Sequence, residues 1–131
     1  MLFGVFGVPI LTLPQVALAH GSVVRNYASF IQGERHAPTV RGAYRYETTQ
    51  VQPRVCIRIT LQRRPGGGGT WATLDRERLC VSEISGTSSY TDLRSRNCNK
   101  DYRVVGRGFS YSPEEGAHLK RSDTKILQNT C

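Results

Sequence analysis

The chain has 131 residues, enough for one domain. Its 18 Lys and Arg outnumber 10 Asp and Glu, leaving a net charge of +8 that comes mostly from arginine. That balance points to an anionic partner such as an envelope polymer, or to a solvated arginine-rich surface. The cations are scattered in sequence, and only Arg63-Arg64 and Lys120-Arg121 cluster tightly. No nucleic-acid partner is expected.

Residues 1–19 carry no charge. An apolar run over 2–13 leads to Ala17-Leu18-Ala19, an A-x-A cleavage signal, so 1–19 reads as a secretory signal peptide. No basic residue precedes the run. A membrane anchor needs about 20 apolar residues without interruption, and Pro9, Pro14 and Gln15 break this stretch. No other segment is apolar enough to span a bilayer. The expectation is a secreted protein with no transmembrane segment after cleavage and with His20 as its mature N-terminus.

Residues 20–40 form an N-terminal extension or a first strand. Within them, 27–32 (YASFIQ) suits a short strand or one helical turn, and Pro38 argues against a long element. From residue 41 to 131 the signals are β signals. Val55, Ile57, Ile59 and Leu61 alternate strictly with Cys56, Arg58, Thr60 and Gln62, which predicts a strand with one face in the core. Arg64-Pro65-Gly66-Gly67-Gly68-Gly69 breaks it, and Thr70-Trp71-Ala72-Thr73-Leu74 resumes an extended pattern, so the two form a hairpin. Trp71 is expected as a core or hairpin-packing aromatic, with a sugar-stacking platform as the alternative. Further strands are expected over 78–84, over 102–105 and 109–111 (two strands or one bulged strand around Gly106 and Gly108), and over 117–119 and 125–128 (the closing strand or strands). Ser85-Gly86-Thr87 and the stretch 112–116 are expected as turns. Short strands at this spacing suggest a sandwich.

Four cysteines in an exported chain read as two disulfides. There is no C-x-x-C, and the spacings match no zinc pattern. A hairpin turn near Gly67 or Gly68 sets Cys56 opposite about residue 79, within reach of Cys80. The expected pairs are therefore Cys56–Cys80 and Cys98–Cys131.

The run Val55-Cys56-Ile57-Arg58-Ile59-Thr60-Leu61-Gln62-Arg63, with the Gly-rich loop, Trp71, Cys80, Cys98 and Tyr102-Arg103-Val104-Val105, resembles small secreted immunoglobulin-like proteins of actinobacteria. The resemblance covers 42–131. It implies an all-β fold, an antiparallel immunoglobulin-like β-sandwich with two disulfides, and it implies no activity.

At the other end, His20-Gly21-Ser22-Val23-Val24 with Arg25-Asn26-Tyr27 resembles the mature start of bacterial lytic polysaccharide monooxygenases. In those enzymes an N-terminal histidine holds copper through its amine and imidazole, and a second histidine completes the site. The resemblance implies a copper site of His20 with His118 or His36. The residues those enzymes carry between the valine and the arginine are absent, and the chain is short for the family, so only His20 carries over.

A ribonuclease would need a Glu base, a His acid and arginines at the phosphate. Glu47, His118 and Arg54 or Arg58 supply the residue types but no supporting spacing. No G-x-S-x-G, P-loop or dinucleotide fingerprint occurs. The sequence therefore points to a non-enzymatic secreted module without a cofactor, binding an anionic envelope polymer or a protein. The alternatives are a copper protein built on His20 and a small secreted inhibitor or toxin.

Overall fold

The structure, a computed structural model, describes residues 23–32, 39–114 and 116–128. The expected signal peptide over 1–19, His20, His36 and Cys131 lie outside them. The strands are β1 (Val23–Gln32), β2 (Thr39–Pro65), β3 (Ala72–Tyr90), β4 (Arg94–Ser95), β5 (Lys100–Ser112) and β6 (Gly116–Leu127). Every pairing is antiparallel, and no helix occurs among the described residues.

The longest strand, β2, organises the rest. Its first half pairs with β1, its second half pairs with β5, and β3 follows it along nearly its whole length. The exchange of partners falls at an irregularity. Glu47 pairs with Gly86 and Gln52 with Ile84, so residues 48–51 of β2 face Ser85 alone. Such a bulge bends a strand. Pro53, which has no N–H to give a ladder, sits next to this gap, between Gln52 and Arg54 in the register. Thr48 Oγ1 donates within the loop to the carbonyl oxygens of Gln50 and Ser85. Ser85-Gly86-Thr87, expected as a turn, is instead continuous strand in β3. A glycine suits this position because a Cβ on Gly86 would sit 2.7 Å from the Tyr46 carbonyl oxygen.

The alternation over 55–61 resolves as expected. Val55, Ile57, Ile59 and Leu61 are all buried. The first half of β2 adds Tyr44 and Tyr46, also fully buried. These two rings reach β5, with which their own half of β2 does not pair. A Cβ on Gly106 would lie 1.9 Å from Tyr44 Cδ1, and one on Gly108 would lie 2.3 Å from Tyr46 Cδ1. The two halves of β2 therefore face one another, with tyrosine rings from one half seated on bare glycine backbone in the strand beside the other. Polar ties join the halves as well. The Ala28 amide donates to Asp123 Oδ2 at 2.7 Å, and Tyr46 Oη donates to the Leu119 carbonyl. Burial raises the pKa of both phenols above the usual tyrosine value, and the neighbouring Tyr46 and Asp123 add to the effect on Tyr44.

Cys56 pairs in register with Cys80, and the two form a disulfide with a Cα separation of 4.1 Å. Counting from the turn gives residue 79 opposite Cys56, and the register shift between Leu61 and Gln62 moves the partner by one to Cys80. The second expected bridge, Cys98–Cys131, ends on a residue outside those described. No described cysteine is a free thiol.

Of the two arrangements expected over 102–105 and 109–111, the single bulged strand is the one observed, β5, with its irregularity between Gly108 and Ser110. Residues 117–119 and 125–127 belong to one closing strand, β6, which ends at Leu127.

Candidate anion-binding face

Period two fixes which side chains point outward. With Val55, Ile57 and Ile59 inward, Arg54, Arg58, Thr60 and Gln62 face outward from β2. The register then extends this face across three strands. Arg58 pairs with Arg78 on one side and Arg107 on the other. Thr60 pairs with Arg76 and Val105, and Gln62 pairs with Thr73 and Arg103. Three arginines thus stand side by side across β3, β2 and β5, with two more in the adjoining rows.

Arg58, Arg76, Arg78 and Arg107 are all exposed. Among the described residues, none of the four has a carboxylate within ion-pair distance. Like charges set directly opposite one another destabilise a sheet, so this row works against the fold that carries it.

Two shallow hollows open on the face. One, of about 380 Å³, is lined by Arg58, Thr60, Gln62, Arg76, Arg103, Val105 and Arg107. The other, of about 670 Å³, shares Arg58 and Arg107, adds Arg78 and the apolar Phe109, and is bordered by Lys120 and Arg121. Among the described residues, no acid lines either hollow.

At the hairpin end of the face the arginines are held in place. Arg64 bonds the buried Asp101 at 3.1 Å, and Arg103 donates from Nε to Gln62 Oε1 at 2.8 Å. Both guanidinium groups lie over Trp71, at 4.4 and 4.5 Å from the ring centre. Trp71 is therefore half-buried hairpin packing, stacked with cations. A sugar stacking on this indole would compete with two guanidiniums already there, which favours hairpin packing over the stacking-platform alternative.

The acids lie elsewhere. Within Asp75-Arg76-Glu77-Arg78, strand alternation sends the arginines outward and the carboxylates to the opposite side. There Asp75 and Glu77 gather with Asp92 within 4.8 Å, and Arg94 approaches Asp75 at 3.9 Å. The Asp75 carboxylate raises the pKa of Glu77. This is the one metal-capable cluster among the described residues, and it contains no histidine.

The residues considered for ribonuclease chemistry do not assemble. Glu47 is engaged by Arg45 at 2.7 Å and Arg25 at 3.8 Å on the first half of β2. Arg54 and Arg58 lie on the outer face of the second half. His118 sits in β6 opposite Ser110, partly buried. No hydrogen bond or ion pair joins Glu47 to His118, Arg54 or Arg58 among the described residues. His118 is the only histidine described, so the expected copper pairing with His20 falls outside the described residues.

Arginines that are scattered in sequence are brought into one row by the register. The signal was present in the alternation: Arg76 and Arg78, Arg54 and Arg58, and Arg103 and Arg107 each sit an even number of residues apart on one strand.

The chain is thus an all-β protein built from one antiparallel sheet with an internal cross-strand disulfide. No family model matches the chain, and no curated protein matches it. Among solved structures it is similar to the curli protein CsgC of E. coli, at 8% identity and a TM-score of 0.44 over 79% of this chain and 98% of that one. It is similar to CsgH of R. palustris at 6% identity and 0.48, over 80% and 93% of the two chains. It is also similar to a collagen-binding domain of a Staphylococcus aureus adhesin at 8% identity and 0.48, over 80% and 97%.

Proposed function

We propose that the protein is a non-enzymatic, exported module of immunoglobulin-like sandwich architecture that binds an anionic cell-surface polymer through the outer arginine face. The single observation that carries this proposal is the row Arg78, Arg58, Arg107, which has no carboxylate partners among the described residues. Three uncompensated guanidiniums held side by side cost stability, and an anion laid over them offsets that cost. Export is supported by the A-x-A signal at 17–19 and by the Cys56–Cys80 bridge, a bond that persists in oxidising compartments. The sandwich architecture is supported by the seating of Tyr44 and Tyr46 on β5.

Pull-down on isolated anionic envelope polymer is expected to show binding at about 20 mM salt that weakens steeply toward about 500 mM, because the Debye length contracts from roughly 20 Å to about 4 Å. Binding that is absent at low salt, or unchanged by high salt, contradicts the proposal.

A further inference from the structure

We propose that the arginine row is a site for a base-free phosphodiester chain, of the poly(glycerol phosphate) kind, lying across the strands from Arg78 over Arg58 to Arg107; this deepens the polyanion reading above and rests on it. Three features of the face select that chemistry.

The first is charge spacing. Neighbouring strands lie about 4.8 Å apart, so the three arginines arise from backbone positions spanning about 10 Å. A matching ligand must bring negative charge at a similar interval. Phosphodiester chains do so, with one charge on every repeat. A glycan with a carboxylate on every second sugar leaves the middle arginine unmatched.

The second is the kind of cation. The central positions are all arginine, and lysine enters only at the rim through Lys120. Guanidinium presents a planar fork that grips two oxygens of one phosphate, whereas an ammonium is a point charge. Between the charges, Thr60 and Gln62 offer hydrogen bonds to hydroxyl and ester oxygens, and Val105 and Phe109 offer apolar contact to linking carbons.

The third is the state of the tryptophan. Unpaired bases bind by stacking on aromatic rings. Trp71 already holds Arg64 and Arg103 against its ring, so a base stacking there competes with a guanidinium. A chain without bases loses nothing by this.

Trp71 is the only tryptophan in the protein, and its emission reports binding because Arg103 lies both on its ring and in the wall of the smaller hollow. At low salt, titration with poly(glycerol phosphate) is expected to shift that emission and saturate. Hyaluronate, inorganic phosphate and single-stranded DNA at equal charge are expected to bind at least about tenfold more weakly. Arg58→Gln is expected to weaken the polymer about tenfold, the scale of one lost charge-assisted contact. Arg58→Lys should recover only part of that loss. Lys125→Gln makes the same change in net charge from β6, opposite the inward-facing Val104, and should change affinity less than about twofold. Circular dichroism of each variant establishes that it is folded.

Equal binding of hyaluronate and poly(glycerol phosphate) overturns the phosphodiester assignment while leaving a polyanion face intact. Tighter binding of DNA overturns the base-free chain. Equal losses in Arg58→Gln and Lys125→Gln overturn the row as the site. Failure of every polyanion to bind overturns the proposed function itself.

Discussion

Gly106→Ala should lower the unfolding midpoint by roughly 10 °C or more, although it adds a single methyl group. That methyl would stand 1.9 Å from Cδ1 and 2.3 Å from Cγ of Tyr44. Both atoms belong to a ring that is 1% exposed, so the ring has no solvent to move into. Overpacking of this kind costs about 1–3 kcal/mol, and sometimes more, because side chains and backbone shift together. At about 4 °C per kcal/mol, the value between the ranges for shorter and longer domains, roughly 2–3 kcal/mol gives the stated shift.

Destabilisation alone does not identify the contact, so the pair is tested as a cycle. In a Tyr44→Val background the same Gly106→Ala change should be nearly neutral, a coupling of about 1–3 kcal/mol. Thermal melts of the four proteins measure it. Additive effects would show that the first half of β2 does not lie on β5.

Removing the bridge with Cys56→Ala and Cys80→Ala together should cost about 3 kcal/mol, read as a fall in the urea midpoint. The disulfide closes a separation of 24 residues, and chain-entropy estimates give about this value for loops of that size. The double variant avoids leaving a lone thiol at Cys56, which is 2% exposed. Unfolding should remain a single transition, because β2 and β3 stay paired along most of their length without the bridge. An unchanged midpoint would show that the staple contributes nothing to stability.

These two sites differ in how readily the sequence reveals them. The bridge was legible to within one position because it depends chiefly on one local fact, the turn at the glycine run, and the register shift between Leu61 and Gln62 supplies the last step. The inward set of Val55, Ile57, Ile59 and Leu61 was legible for the same reason, since alternation is local. The seating of Tyr44 on Gly106 was not. It joins residues 62 apart in sequence that share no ladder, and Pro53 marks a break in the ladder without saying which strand the bend at 48–53 brings Tyr44 onto. Ser85-Gly86-Thr87 carried ordinary turn residues, yet the same small residues serve a strand crowded by the bulge opposite.

The functional face lies between these cases. Each pair of arginines was visible at even spacing within its own strand. The row exists only once Arg78, Arg58 and Arg107 are in register, and that needs both the hairpin offset and the pairing of β2 with β5. Turn arithmetic alone sets Arg58 opposite Glu77, and it is the register shift between Leu61 and Gln62 that brings Arg78 there instead. The pairing of β2 with β5 depends on a connection through β4 and the residues around Cys98, where the sequence offers no periodicity.

The most direct test of the arginine face follows the arginine Nε–Hε signals by ¹H–¹⁵N NMR while poly(glycerol phosphate) is added at low salt. Arg58, Arg78 and Arg107 should shift together and along one saturating curve, while Arg25 and Arg45, held near Glu47 on the other half of β2, stay in place. Uniform drift of all the arginines, or shifts that spare Arg58, would contradict a defined anion-binding row.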